Sequence, residues 1–229
     1  MNQHDLPTQT QAAARSERPG LSKALVALVH AAAAVPLLVL LIRALGNDLG
    51  FNPIQEVECF TGRAALIFLL LSLAVTPLRL LIKQPGLWAM RKHLGLYAFK
   101  YALLHLVIYL AVDLRFDWRA FFSSLFSNRF FWVGSAAFVI LLALAVTSIP
   151  GLQRKMGRGW KWLHRLVYVA ALLVILHYAW VDKGNLLSGQ GNLVWPLVAG
   201  VVFVVLMVLR LFHDHHRPLR QNADPFPKP

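Results

Sequence analysis

Six apolar runs, each about as long as a bilayer is thick, decide what this chain can fold into. They cover roughly Ala24–Leu45, Ala64–Leu81, Leu94–Val112, Phe130–Ile149, Leu163–Val181 and Leu193–Phe212. A helix needs ~20 residues to cross the hydrocarbon core. In lipid every backbone N–H and C=O must be satisfied within the protein, which leaves helices or a closed barrel. Sheet-type alternation is absent, so the expected fold class is all-α: an integral membrane bundle of six helices. Composition agrees. Of 229 residues 58% are hydrophobic and only 14% are charged, too little charge to cover a soluble domain of this size. None of the six runs reads as a repeat of another.

Six crossings put both termini on one side. Lys and Arg collect at the N-terminus, in the second and fourth linkers (Arg79, Lys83, Arg91, Lys92; Arg154, Lys155, Arg158, Lys161) and in the tail. Cytoplasmic loops carry that excess, so both termini are expected in the cytoplasm. The same rule accounts for the net charge of +13. No recognition motif accompanies the charge, which excludes nucleic acid as a partner and leaves the lipid bilayer. The expected organisation is a disordered cytoplasmic N-terminus over 1–23, one membrane domain over 24–212 and a disordered cytoplasmic tail over 213–229, too short to fold alone. The polar start does not read as a cleaved signal peptide, so the first helix is expected to serve as an uncleaved insertion signal. Cys59, the single cysteine, falls in the expected outer loop between the first two helices. No CxxC or CxxCH is present, which excludes an internal disulfide, an iron–sulfur site built by this chain alone and a covalently attached haem.

Ionisable side chains within membrane spans are costly and are functional candidates by default. Here they are chiefly histidines: His30 in the first run, His93 and His105 at the start and inside the third, His164 and His177 at the two ends of the fifth. Neutral imidazole can bind a metal without bringing charge into lipid, and it is a common axial ligand of haem iron. The third and fifth helices run in the same direction. Counting along them at ~1.5 Å per residue puts His105 and His177 at one depth and His164 level with His93, ~20 Å away. Two stacked porphyrins would need ligands at about that spacing. Each histidine has the competing use of a hydrogen bond between helices. The angle between His164 and His177 is awkward: thirteen residues place them roughly 140° apart around an ideal helix. Either a local irregularity such as a π-bulge intervenes, or the two face different partners. The tail motif HDHH reads as solvated rather than as a metal grip.

Three stretches carry a resemblance. ECFTGRAALIFLLLSLAVTPLRLL, RKHLGLYAFKYALLHLVIYL and QRKMGRGWKWLHRLVYVAALLVILHYAW together resemble the MsrQ (YedZ) family of haem-binding membrane subunits, within the ferric-reductase-like transmembrane group. The likeness spans residues 24 to 212. It implies haem b, one or two per chain, with His105, His177 and His164 as axial ligands of the iron and the fourth ligand open. It also implies FMN as a second cofactor and the quinone pool as electron donor, with a cytoplasmic flavin reductase as a further donor. The implied acceptor is MsrP, a periplasmic molybdopterin reductase that repairs methionine sulfoxide in oxidised proteins. The implied location is the bacterial inner membrane. His93, His30, Arg91 and Lys92 are further cofactor-binding candidates. The basic pair, with Arg154 and Lys155, could meet haem propionates, a flavin phosphate or lipid headgroups, and no Gly-rich phosphate loop decides among them.

Function then lies between three classes. One is an electron-transfer subunit without catalysis of its own, its partner docking at the outer loops around Arg115 to Arg129 and Lys183. Another is a stand-alone ferric or oxygen reductase at the outer face. The last is a non-redox membrane protein whose histidines only hydrogen-bond. A transporter would more often show broken helices and acidic residues at mid-membrane. The carboxylates here sit in loops or near helix ends.

Overall fold

A computed structural model of the chain describes residues 19–181 and 194–215. Among them there is no strand. The helices are α1 (Pro19–Leu45), α2 (Pro53–Ile82), α3 (Trp88–Ile108), α4 (Trp118–Ser127), α5 (Arg129–Val146), α6 (Pro150–Met156), α7 (Arg158–Arg165), α8 (Val167–Val181) and α9 (Val194–His215). A 3₁₀ turn, Pro85–Leu87, leads into α3, and a π-helical segment, Tyr109–Asp113, continues it. Six stretches are long and apolar enough to cross a membrane: α1, α2, α3 with its π segment, α5, α7 with α8, and α9. The chain is a multi-pass membrane protein. Its perimeter is built from side chains suited to lipid, such as Leu28, Leu38, Leu41, Val201 and Leu211, all exposed.

Several helices start earlier than their apolar runs, α1 and α2 among them. α1 begins at Pro19, inside the segment expected to be disordered; residues 1–18 lie outside the described part. α2 gains eleven residues over the expected span because Asn52 caps it. The Asn52 side chain accepts from the Gln55 backbone N–H at 3.3 Å, and Pro53 opens the first turn, where its missing N–H costs nothing. This polar extension puts Cys59 on a helix rather than in a loop. At the far end α9 runs on to His215, past the expected boundary at 212. The rest of the tail and Lys183 lie outside the described residues.

The core is a pair of helical hairpins. α2 packs closely on α3, and α5 on α8. Small residues set the close approach: Ala98, Ala170 and Ala171 are fully buried, with Ala65, Leu69, Ala137 and Leu141 nearly so. Small side chains let helix backbones come together where lipid gives no hydrophobic drive between helices. α1 lies parallel to α3. Gly86 meets Ser22 and Leu25, and the Tyr101 hydroxyl donates to the Ala33 carbonyl at 2.5 Å. At the other end of α1 the Arg43 guanidinium pairs with Glu56 at 2.8 Å, which ties that helix to the start of α2.

Candidate functional site

The hairpins meet at two histidines. His105 projects from α3 and His177 from α8. Their ring centroids are 6.3 Å apart and their planes lie at 79° to each other. The matched depth expected from residue counting is what the fold delivers.

Each ring is fixed in the same way. His105 Nδ1 lies 2.9 Å from the Glu58 carbonyl oxygen, and His177 Nδ1 lies 2.9 Å from the Phe130 carbonyl oxygen. A carbonyl only accepts, so Nδ1 carries the proton in both rings. Nε2 is left with its lone pair, on the side away from the carbonyl. Donation of the second ring nitrogen to a backbone oxygen is the arrangement that orients metal-bound imidazoles.

A glycine makes room behind each ring. A Cβ at Gly134 would stand 2.7 Å from His177 Nδ1, closer than real contacts allow; one at Gly62 would stand 3.4 Å from His105 Nδ1. Each glycine sits one turn after the carbonyl that its histidine uses. The two half-sites are thus copies: Glu58, Gly62 and His105 on one hairpin correspond to Phe130, Gly134 and His177 on the other, each 72 positions later. The buried pairs Ala65 and Ala137, Leu69 and Leu141, Ala98 and Ala170 keep the same offset. This corrects the reading that no run repeats another. The trace in sequence is short: GRAAL beside GSAAF at the same offset, and LAVT at both 73–76 and 144–147, an offset one residue shorter. The glycines and the two carbonyls were the functional groups that sequence reasoning missed, and this offset was the signal that could have found them.

The second level is built differently. His164 Nε2 lies 3.3 Å from Thr147 Oγ1, and its ring stacks on Trp160 with centroids 4.1 Å apart. Trp160 in turn donates its indole N–H to the Thr147 carbonyl at 3.0 Å. On the other hairpin the matching hydroxyl, Thr76 Oγ1, accepts from the Arg91 guanidinium at 3.3 Å. Arg91 and Arg79 also place their guanidinium carbons 5.3 and 5.4 Å from the Trp88 ring centroid. Lys92 is exposed. His93 does not join His164: among the described residues its ring contact is with His30, 5.1 Å between centroids. His30 Nδ1 is 2.7 Å from the Tyr97 hydroxyl.

The irregularity anticipated between His164 and His177 is present, in the opposite sense from a π-bulge. The N–H of Leu166 bonds the Leu163 carbonyl at 2.9 Å, an i→i−3 turn that overwinds the chain between α7 and α8. Overwinding advances His177 around the axis and reduces the angle that an ideal helix would leave. The π-type segment stands elsewhere, just after His105.

Two imidazoles with inward lone pairs suit an iron whose other positions a porphyrin fills. Two metal–nitrogen bonds of about 2 Å, together with the distance from each nitrogen to its ring centre, come close to the observed separation. Among the described residues no group of three or more His, Cys, Asp and Glu could hold a bare metal ion.

The known proteins this chain resembles fit that geometry. The family described as ferric reductase like transmembrane component matches residues 61–175, which include Gly62, His105, Phe130 and Gly134 and end two residues before His177. The protein-methionine-sulfoxide reductase heme-binding subunit MsrQ of Herminiimonas arsenicoxydans is 38% identical over 197 residues, 86% of this chain and 88% of that protein. Subunits of the same name from Xanthomonas oryzae pv. oryzae and Xanthomonas euvesicatoria pv. vesicatoria are each 41% identical over 185 residues, 78% of this chain and 82% of theirs. By length, motifs and the residues matched, the chain belongs to the MsrQ family of ferric-reductase-like transmembrane proteins.

Proposed function

We propose that this chain is the haem b electron conduit of a methionine sulfoxide repair system in the bacterial inner membrane. It takes electrons from the quinone pool and delivers them to MsrP, a periplasmic molybdopterin subunit. The observation that carries the reading is the facing pair His105 and His177, with both Nδ1 atoms spent on backbone carbonyls. Haem b, when bound, supplies a one-electron couple. The protein's part is to grip the iron from both sides and keep other ligands off it. The fixed rings need no reorientation when the charge on the iron changes.

His164 is the proposed ligand of a second, inner site, held ready by Trp160 and Thr147. Arg91 and Lys92 stand on the neighbouring hairpin as cations for haem propionates or for the phosphate of an FMN. The basic linkers support an orientation with both termini in the cytoplasm, which puts the His105 and His177 level towards the periplasm. There the short amphipathic α4 and the turn at Arg115 and Phe116 offer the docking face for MsrP. A cytoplasmic flavin reductase is a second donor compatible with the inner basic face.

The test is a reduced-minus-oxidised spectrum of the purified chain with a pyridine haemochrome assay. Wild type is expected to show haem b. His105→Ala and His177→Ala should each lose the haem held at this level. If both variants kept the wild-type haem content and spectrum, this ligand pair would be wrong.

A further inference from the structure

The seam between α1 and α3 holds a basic cluster that the site above does not use. His30 Nδ1 and the Tyr97 hydroxyl share a hydrogen bond of 2.7 Å, and the His93 ring meets His30 edge-on at 5.1 Å. Lys100 Nζ stands 4.7 Å from the Tyr97 ring centroid. Lys23 lies two turns before His30, on the same face of α1. Lys23, His30 and Lys100 are all exposed. The cluster has no counter-charge on its own helices. The sequence has no Asp or Glu between Glu17 and Asp48, nor between Glu58 and Asp113, so α1 and α3 carry none. Among the described residues neither lysine is paired with a carboxylate. Unpaired charge at the edge of the hydrocarbon is costly, and an anion from outside the chain offsets that cost.

Depth says where that anion comes from. Both helices start at the basic end of the bundle. His30 is six residues past Ala24 and Lys100 six past Leu94, the starts of their apolar runs, or ~9 Å along each axis. Helical side chains tilt back towards the N-terminus, and a lysine stem lifts its ammonium further the same way. Lys100 does so, reaching back over Tyr97 three residues earlier. The polar atoms thus stand at the rim of the hydrocarbon, within reach of lipid phosphates. Beyond the cluster the same faces turn apolar. Leu103 and Val107 follow Lys100 on α3, and Ala34, Leu37 and Leu41 follow His30 on α1, all exposed. Cations above and a bare apolar strip below match an anionic amphiphile. The hydrogen-bond relay fits an anion too. With the Tyr97 O–H donating to His30 Nδ1, the proton sits on Nε2, which is left to donate.

We propose that Lys23, His30 and Lys100, with His93 behind His30, bind the phosphate of one anionic phospholipid of the cytoplasmic leaflet, whose acyl chains lie along the strip below. Basic pockets between spanning helices on that side hold such headgroups. The leaflet follows from the orientation proposed above. The site needs no haem, so it stands apart from the conduit reading. Bound across the seam, the lipid staples α1 to α3 beside the His30 and Tyr97 bond and the bond from Tyr101 to the Ala33 carbonyl.

The test is native mass spectrometry of the full chain in detergent, titrated with phosphatidylglycerol or with phosphatidylcholine of the same acyl chains. Wild type is expected to keep one phosphatidylglycerol at collision energies that strip phosphatidylcholine. Lys100→Gln and His30→Leu should each weaken that binding roughly tenfold, the loss expected for one charge-assisted hydrogen bond. Lys155→Gln, at an exposed position in the other basic linker, should leave it unchanged. Thermal unfolding gives a second readout: phosphatidylglycerol should raise the midpoint of wild type and not that of Lys100→Gln, which stands in if the His30 variant misfolds. Equal retention of the two lipids overturns the proposal. So does a preference that Lys100→Gln keeps, or that Lys155→Gln loses equally. Displacement of the lipid by millimolar inorganic phosphate would mark a site for free phosphate and overturn the lipid assignment.

Discussion

At the scale of single residues the chemistry of the site is decided by atoms that carry no distinctive side chain. A carbonyl oxygen and a missing methyl fix each imidazole. The two glycines are not equal, and that yields a prediction. A Cβ at 134 would press on His177 Nδ1 at 2.7 Å, whereas one at 62 would reach ordinary contact with His105 at 3.4 Å. Gly134→Ala should therefore cost about 1–3 kcal/mol, as overpacking does, and should lower haem retention measured per mole of folded protein. Gly62→Ala should do little to either. Equal effects of the two would contradict the geometry. The ring planes give a second expectation. Imidazoles at 79° leave two iron d orbitals nearly degenerate, so the ferric protein should show a strongly anisotropic low-spin resonance. An ordinary rhombic spectrum, which parallel planes produce, would mean that the rings turn on binding.

Secondary structure shows where sequence reading succeeded and where it stopped. All six spans were legible because apolar runs of that length have one solution in lipid. The depth match of His105 and His177 was legible too, because helical rise is fixed. The first eleven residues of α2 were not. PIQEVECFTGR is polar, and its helicity comes from the Asn52 cap and from continuation of the ladder. Hydropathy registers neither. Yet that extension supplies the Glu58 carbonyl. α4 was missed for a related reason: Asp117 caps it by accepting from the Ala120 N–H at 3.0 Å, a local signal within a stretch read as loop. His93, counted as level with His164, turns to His30 instead, because equal depth does not fix which way a side chain faces. The joint at Leu166 separates α7 from α8, so the two histidine levels should be separable. His164→Ala should lower haem content while leaving the anisotropic signal of the His105 and His177 site. Loss of all haem from a folded variant would point to one shared site.

As a whole molecule the protein is two copies of one hairpin idea, closed around a pair of histidines and flanked by α1 and α9. The duplication escaped sequence reading because lipid selects the same few side chains everywhere, so six unrelated apolar runs look about as similar as two related ones. A 72-residue offset stands out only after the hydrogen bonds show which residues to compare. The architecture also limits what the chain can do alone. Iron held from both sides, as proposed for His105 and His177, would offer no open position to a sulfoxide oxygen. A single thiol, Cys59, cannot close the internal disulfide that a thiol-based sulfoxide reductase needs. Electrons should therefore leave intact for a partner. The most direct measurement supplies the reduced, haem-loaded chain in detergent with a methionine-sulfoxide peptide, following haem reoxidation and methionine together. The account predicts neither until MsrP is added, and then one methionine for every two electrons released. Stoichiometric methionine from the chain alone would contradict it.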